Sequence, residues 1–307
     1  MQLEQILLFS IVPFLIIGFF IGKNKPIASE KISIPLIKFG IPLSVMGLLL
    51  KNGVDTDLLK AAIMAFLTIS FLILLINFVP KLKKKFPNYT LQFSGLIGNT
   101  SFLGIPIAMA LLPNNTIDLT IGFDLGTTFF AWLLGPYLLR NKNKKNKIFD
   151  FKQIFIGILS SPASKGIIGV LIAYQFGLES ELGKILWVPA IIIIFLAIIV
   201  VGTRLGIIIK KKNKIFDFSR KIQYVLILKL LFLPFVIFNL SIIFKLTTDE
   251  TAALILQAAT PTAISTLLMA EAYKVNQDIA AKSLFLTTII SVSTIPVIRF
   301  LFFYNLS

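Results

Sequence analysis

Apolar runs long enough to cross a bilayer recur ten times along the 307 residues. A spanning helix needs about 20 predominantly apolar residues. Such runs lie near 5–22, 32–50, 58–79, 91–112, 118–139, 154–177, 184–208, 222–244, 251–272 and 280–303. No polar stretch between them exceeds about a dozen residues, which leaves no room for a separate soluble domain. The chain is 56% hydrophobic with 29 phenylalanines and a mean hydropathy of +0.90, whereas soluble domains run near ~45–50% apolar. "MQLEQ" lacks the positive start of a secretory signal, so residues 1–22 read as a first spanning helix. The sixth run carries "SSPAS" (160–164). If that cluster breaks it, 149–160 forms a short interfacial helix and the span begins near Pro162.

The basic residues test this count. Loops on alternate sides hold 21 and 4 Lys and Arg, and the rich side contains "KLKKK" (81–85), "RNKNKKNK" (140–147) and "KKKNK" (210–214). Positive loops face the cytoplasm, so both termini lie outside, and the expected location is the plasma (inner) membrane. The formal charge of +16 is carried by these loops, a footprint of membrane topology rather than of a nucleic-acid partner. Cysteine and histidine are both absent, which excludes disulfides, Cys or His metal sites and the usual nucleophile–base pairs. No metal, cofactor or enzyme activity is expected, and coupling to Na+ or H+ stays open.

Offsetting the chain by 160 residues places Thr100 on Thr260, Asp118 on Asp278, Thr127-Thr128 on Thr287-Thr288 and Pro136 on Pro296. The fold expected is an all-α polytopic membrane protein of two five-helix repeats, 1–139 and 154–307, joined by a short basic linker, 140–153. Five spans per repeat force the second to insert inverted, a recurrent transporter plan. The fourth and ninth runs are the ones that resist being helical. "GLIGNTSFLGIP" (95–106) holds Gly98, Gly104 and Pro106 as break residues with Asn99, Thr100 and Ser101 beside them. "QAATPTAIST" (257–266) sets Pro261 between Thr260 and Thr262, with Gln257 and Ser265 a turn away. A span unwinds in hydrocarbon only where its freed backbone groups are satisfied. Either run alone reads equally as a kink. At equivalent positions they point to a functional crossing, where half-helix N-termini would attract an anion.

Buried charges add candidates. Asp124, Lys229 and Lys38 sit deep enough in their runs to line a transport path or carry a coupling ion. Arg204, Arg299 and Glu271 fall near run ends and read as interfacial.

"GNTSFLGIPIAMAL" (98–111), "FDLGTTFFAWLLGP" (123–136) and "AATPTAISTLLMAEAYKVNQDIAAKSLFLTTIISVSTIPVI" (258–298) resemble the signature of the auxin efflux carrier family. "LKLLFLPFVI" (228–237), "SPASKGIIGVLIA" (161–173) and "IPLSVMGLLL" (41–50) extend the resemblance over nearly the whole chain. The resemblance implies a bacterial member of that family, on a fold related to the bile acid–sodium symporters. There the broken helices 4 and 9 cross and hold the substrate carboxylate, and members export small organic anions. The function expected is a secondary carrier that exports a small organic anion by alternating access. Asn99, Thr100, Ser101, Thr260, Pro261, Thr262 and Ser265 would be at its site. Partners expected besides the anion are membrane lipids and a second copy of the chain as a homodimer. The alternatives are a Na+- or H+-coupled anion symporter on the same fold and, less favoured, a channel or a polytopic membrane enzyme.

Overall fold

The computed structural model describes residues 3–139, 159, 162–211, 215–216 and 218–303. Every regular element among them is helical. In chain order these are α1 (Leu3–Asn24), α2 (Pro26–Pro35), α3 (Ile41–Asn52), α4 (Thr56–Phe78), α5 (Pro80–Lys85), α6 (Tyr89–Leu96), α7 (Ile105–Leu111) and α8 (Ile117–Leu138). They continue as α9 (Pro162–Gln175), α10 (Glu179–Lys211), α11 (Arg220–Ile227), α12 (Leu233–Ile243), α13 (Thr248–Ala258), α14 (Ile264–Ala272) and α15 (Gln277–Phe303). The basic linker 140–153 lies outside the described residues, as does most of the interfacial helix considered for 149–160. Beyond them α9 begins at Pro162, where the alternative reading of the sixth run starts its span.

Among the described residues, five helices are long and apolar enough to cross a membrane: Thr56–Phe78, Asn114–Gly135, Glu179–Lys210, Arg220–Ile243 and Gln277–Ile298. Runs four and nine are each two shorter helices instead. α6 and the helical stretch Thr100–Leu111 flank an irregular 97–99, and α13 and α14 flank an irregular 259–263.

Three single turns of π-helix interrupt the α-helical rise, at Leu36–Gly40, Thr100–Gly104 and Leu228–Phe232. Each is followed by one residue and then a proline: Pro42, Pro106 and Pro234. A proline has no amide to give the carbonyl four residues back, and its ring crowds that carbonyl. The preceding residue's amide reaches one residue further instead: Ile41 to the Leu36 carbonyl, Ile105 to Thr100 and Leu233 to Leu228. The added residue rotates the side chains of the turn, and π-turns often accompany functional sites.

Two helix pairs are zipped by glycine at four-residue spacing. α1 meets α10 through Gly18 and Gly22 against Gly202 and Gly206. A Cβ on any of the four would overlap a backbone carbonyl of the partner helix. Gly122 and Gly126 of α8 lie in the same way on the Leu58 and Ala62 carbonyls of α4. Where lipid is as apolar as leucine, close backbone approach is what drives such helices together. α3 packs against α10 and α9, so α1, α3, α9 and α10 form one group and α4 with α8 heads another.

Candidate functional site where the interrupted helices meet

The irregular segments between α6 and Thr100 and between α13 and α14 lie against each other. Asn99 donates its amide to the Pro261 carbonyl at 2.7 Å, and Ala263 donates to the Ile97 carbonyl at 2.9 Å. Gly98 and Thr262 therefore face each other as one antiparallel bridge. Backbone groups that unwinding released from one segment are thus satisfied by the other, as burial in an apolar medium demands.

The threonines complete this joint. Thr262 Oγ1 donates to the Ser94 carbonyl at 2.6 Å, and the Thr262 amide donates to Thr287 Oγ1 at 3.0 Å. Thr260 Oγ1 donates to the Gln257 carbonyl at 2.7 Å. A Cβ at Gly98 would overlap Thr260 Oγ1 and come within 2.9 Å of Lys229 Nζ. A glycine is required there because the two segments leave no space for any side chain. Gly104 is held likewise under the Gln257 carboxamide.

Charge is placed asymmetrically about the joint. Lys229, in the third π-turn, is wholly buried and donates to the Ala258 carbonyl at 2.8 Å, at the last residue of α13. A cation at a helix C-terminus offsets the negative end of the helix dipole. Among the described residues no carboxylate lies within ion-pair distance of it. At the opposite pole, Asp124 of α8 is 1% exposed. Its Oδ1 accepts from Thr100 Oγ1 and from Ser101 Oγ, the latter at 2.6 Å. Thr100 and Ser101 are the first two residues of the stretch Thr100–Leu111, so the carboxylate sits at that helix's positive end.

Beside Asp124 is a cavity of about 100 Å³ lined by Asn99, Thr100, Ser101, Asp124, Thr128 and Ser265, with Trp132 and Leu268 forming an apolar wall. It has room for a few waters or a small carboxylate group. Asp124 Oδ2 and Asn99 Nδ2, on two of the lining residues, are buried without a hydrogen-bond partner. Buried polar atoms are rarely left so, since each orphan costs about 1–3 kcal/mol. Gln257 is wholly buried with neither carboxamide atom partnered.

The residues singled out in the sequence thus divide. Asn99, Thr100, Ser101, Asp124 and Ser265 share the cavity. Thr260, Pro261 and Thr262 build the joint behind it with Gly98, while Gln257 and Gly104 pack together to one side. Pro106 shapes the π-turn. Lys229 reaches the joint, whereas Lys38 is exposed, its ammonium 5.2 Å from the centre of the Phe39 ring, and does not. Thr128 and Trp132 went unremarked as site residues, although both stand inside the quoted "FDLGTTFFAWLLGP". Their four-residue steps from Asp124 give one helix face and were legible.

Residues 194–299 match the family model described as membrane transport protein. The match covers about a third of the chain. The matched segment includes Lys229 and its π-turn and the whole of the second interrupted helix. An uncharacterized transporter of Methanocaldococcus jannaschii is 26% identical over 212 residues, 65% of this chain. The alignment spans 64% of that relative's length, somewhat under two thirds. The membrane-length apolar helices fit an integral membrane protein, and both comparisons find likeness to transporters.

Proposed function

We propose that the chain is a secondary carrier for a small organic anion, whose carboxylate binds in the cavity lined by Asn99, Thr100, Ser101 and Ser265. The observation that carries this reading is the bridge between the two interrupted helices, Asn99 to Pro261 and Ala263 to Ile97, with an unpartnered amide donor, Asn99 Nδ2, beside it. In this reading the ten apolar runs are ten spans in two inverted repeats, with runs four and nine the crossed and broken pair. Basic loops are cytoplasmic and both termini external in a plasma (inner) membrane. Alternating access moves the crossed helices with α4, α8, α12 and α15 against α1, α3, α9 and α10. The two glycine-zipped pairs lie one on each side of that division, so neither must open. The carrier works without a bound cofactor, surrounded by membrane lipid and paired as a homodimer. An inside-negative potential favours anion export, by about 2.3 kcal/mol per charge per 100 mV.

The test is a thermal-shift screen of the purified protein against acetate, lactate, succinate and malate, followed by flux of the best binder in proteoliposomes. A ligand of the folded state raises apparent stability. Asn99→Ala is expected to weaken that ligand by about tenfold, the value of one charge-assisted hydrogen bond, with the ligand-free melting temperature unchanged. Wild-type affinity and flux in Asn99→Ala would sink the cavity as the anion site.

A further inference from the structure

We infer that Asp124 takes up a proton when the anion binds, so that this carrier moves an anion and a proton together. The inference rests on the anion reading of the cavity and goes beyond it by assigning the coupling ion and the residue that holds it.

A half-helix N-terminus attracts an anion because its free amides and dipole present about half a positive charge. Here an internal carboxylate already stands at that position. Thr100 and Ser101 donate hydrogen bonds to Asp124 Oδ1, which leaves Oδ2 buried and unpartnered on a residue that lines the same cavity as Asn99. An incoming carboxylate would share the cavity with an ionised Asp124. Two negative charges that close in a medium of low dielectric repel strongly. No cation lines the cavity to offset them. Lys229 is behind Gly98, and its ammonium is bonded to the Ala258 carbonyl.

The remaining charges on neighbouring elements lie outside the cavity. They are Asp57 and Lys60 on α4, Lys51 on α3, Lys165 on α9, and Asp249 and Glu250 on α13, with Asp118 on α8 itself. None of them lines the cavity.

One proton from solvent removes the conflict. Protonated at Oδ2, Asp124 becomes a donor on the wall of the cavity that Asn99 also lines. With a proton aboard, a monocarboxylate crosses as a neutral pair on which the potential exerts no drive, and only a dicarboxylate keeps a net charge for the potential to expel.

The measurement is the affinity for acetate, lactate, succinate and malate at pH 5.5 and pH 8, without sodium and then with it. Isothermal titration in two buffers of different ionisation enthalpy accompanies it. Expected for the wild type is binding about tenfold or more tighter at pH 5.5, with about one proton taken up per anion at pH 8. Asp124→Asn, which cannot ionise, should lose the pH dependence and the proton uptake. The titration on the wild type decides the matter even if that variant fails to fold. Binding that is independent of pH, or that takes up no proton, overturns the inference and leaves the anion site standing. A requirement for sodium in place of acid overturns it in favour of a metal cation. Absence of binding by all four anions at pH 5.5 overturns the anion reading itself and this inference with it.

Discussion

The joint between the interrupted helices and the seam between α1 and α10 solve the same problem by opposite means. Both bring two backbones into contact inside an apolar environment. The seam does so with regular helices and Gly18, Gly22, Gly202 and Gly206, leaving carbonyls of each helix against the other's glycines. The joint does so by unwinding both partners and letting each satisfy the other's amides. Around the seam the buried atoms are mostly apolar, although Arg204 Nε, between Gly202 and Gly206, is buried without a partner. Around the joint Ser94 Oγ, Asn99 Nδ2, Asp124 Oδ2, both carboxamide atoms of Gln257, Thr266 Oγ1 and Ser283 Oγ are buried without partners. Orphaned polar atoms cost stability, and the joint gathers more of them than the seam does. Their concentration at one place marks where stability gives way to binding.

That contrast is most exposed to a mutation in the seam. Gly202→Leu would drive a side chain into the Leu15 carbonyl and the Gly18 backbone. Overpacking against backbone costs about 3 kcal/mol or more, so the melting temperature in detergent should fall by roughly 10 °C, with loss of the monodisperse peak on size exclusion. An unchanged melting temperature would show that the seam is not a close-packed support.

At the joint the expected effects reverse, with function hit harder than stability. Lys229→Met keeps the volume and removes a buried charge that has no carboxylate partner among the described residues. Replacing buried charge by an apolar side chain is often neutral for stability, and the melting temperature should move by only a few degrees. The Ala258 end of α13 then loses its cation, an effect of up to about 2 kcal/mol in buried geometry. Anion flux in proteoliposomes is expected to fall by about tenfold or more. A variant that unfolds but transports normally when rescued by lipid would make Lys229 a purely structural residue.

How far the sequence disclosed these two regions follows from what carries each signal. The apolar runs were legible because hydropathy is a local property. The breaks were legible too, since Gly98, Pro106 and Pro261 are hostile to helix wherever they stand. What a linear pattern does not hold is which side of an unwound segment each residue takes. Thr260 and Thr262 look like ligands beside Pro261, yet their hydroxyls are turned onto the backbone of Gln257 and Ser94. The seam had a signal that a search for small residues four apart would have caught, in "GFFIG" (18–22), "GTRLG" (202–206) and "GFDLG" (122–126). The π-turns had one as well, in the three prolines that each follow a turn by one residue.

The smallest effect tests the finest of these distinctions. Lys38 and Lys229 both sit in π-turns ahead of Pro42 and Pro234, and on the sequence they look interchangeable. Lys38 is the third residue of its turn and Lys229 the second. One residue is about 100° of helix rotation, enough to carry a side chain from the interior to the outer face. Accordingly Lys229 is buried on the Ala258 carbonyl and Lys38 is exposed over Phe39. Lys38→Met should leave flux within about twofold of wild type and stability within the few tenths of a kcal/mol usual for surface changes. If instead it matched Lys229→Met in the same assay, the register of the π-turn would not be what separates the two lysines. The turn at Leu36–Gly40 would then have to bring Lys38 inward in another state of the transport cycle.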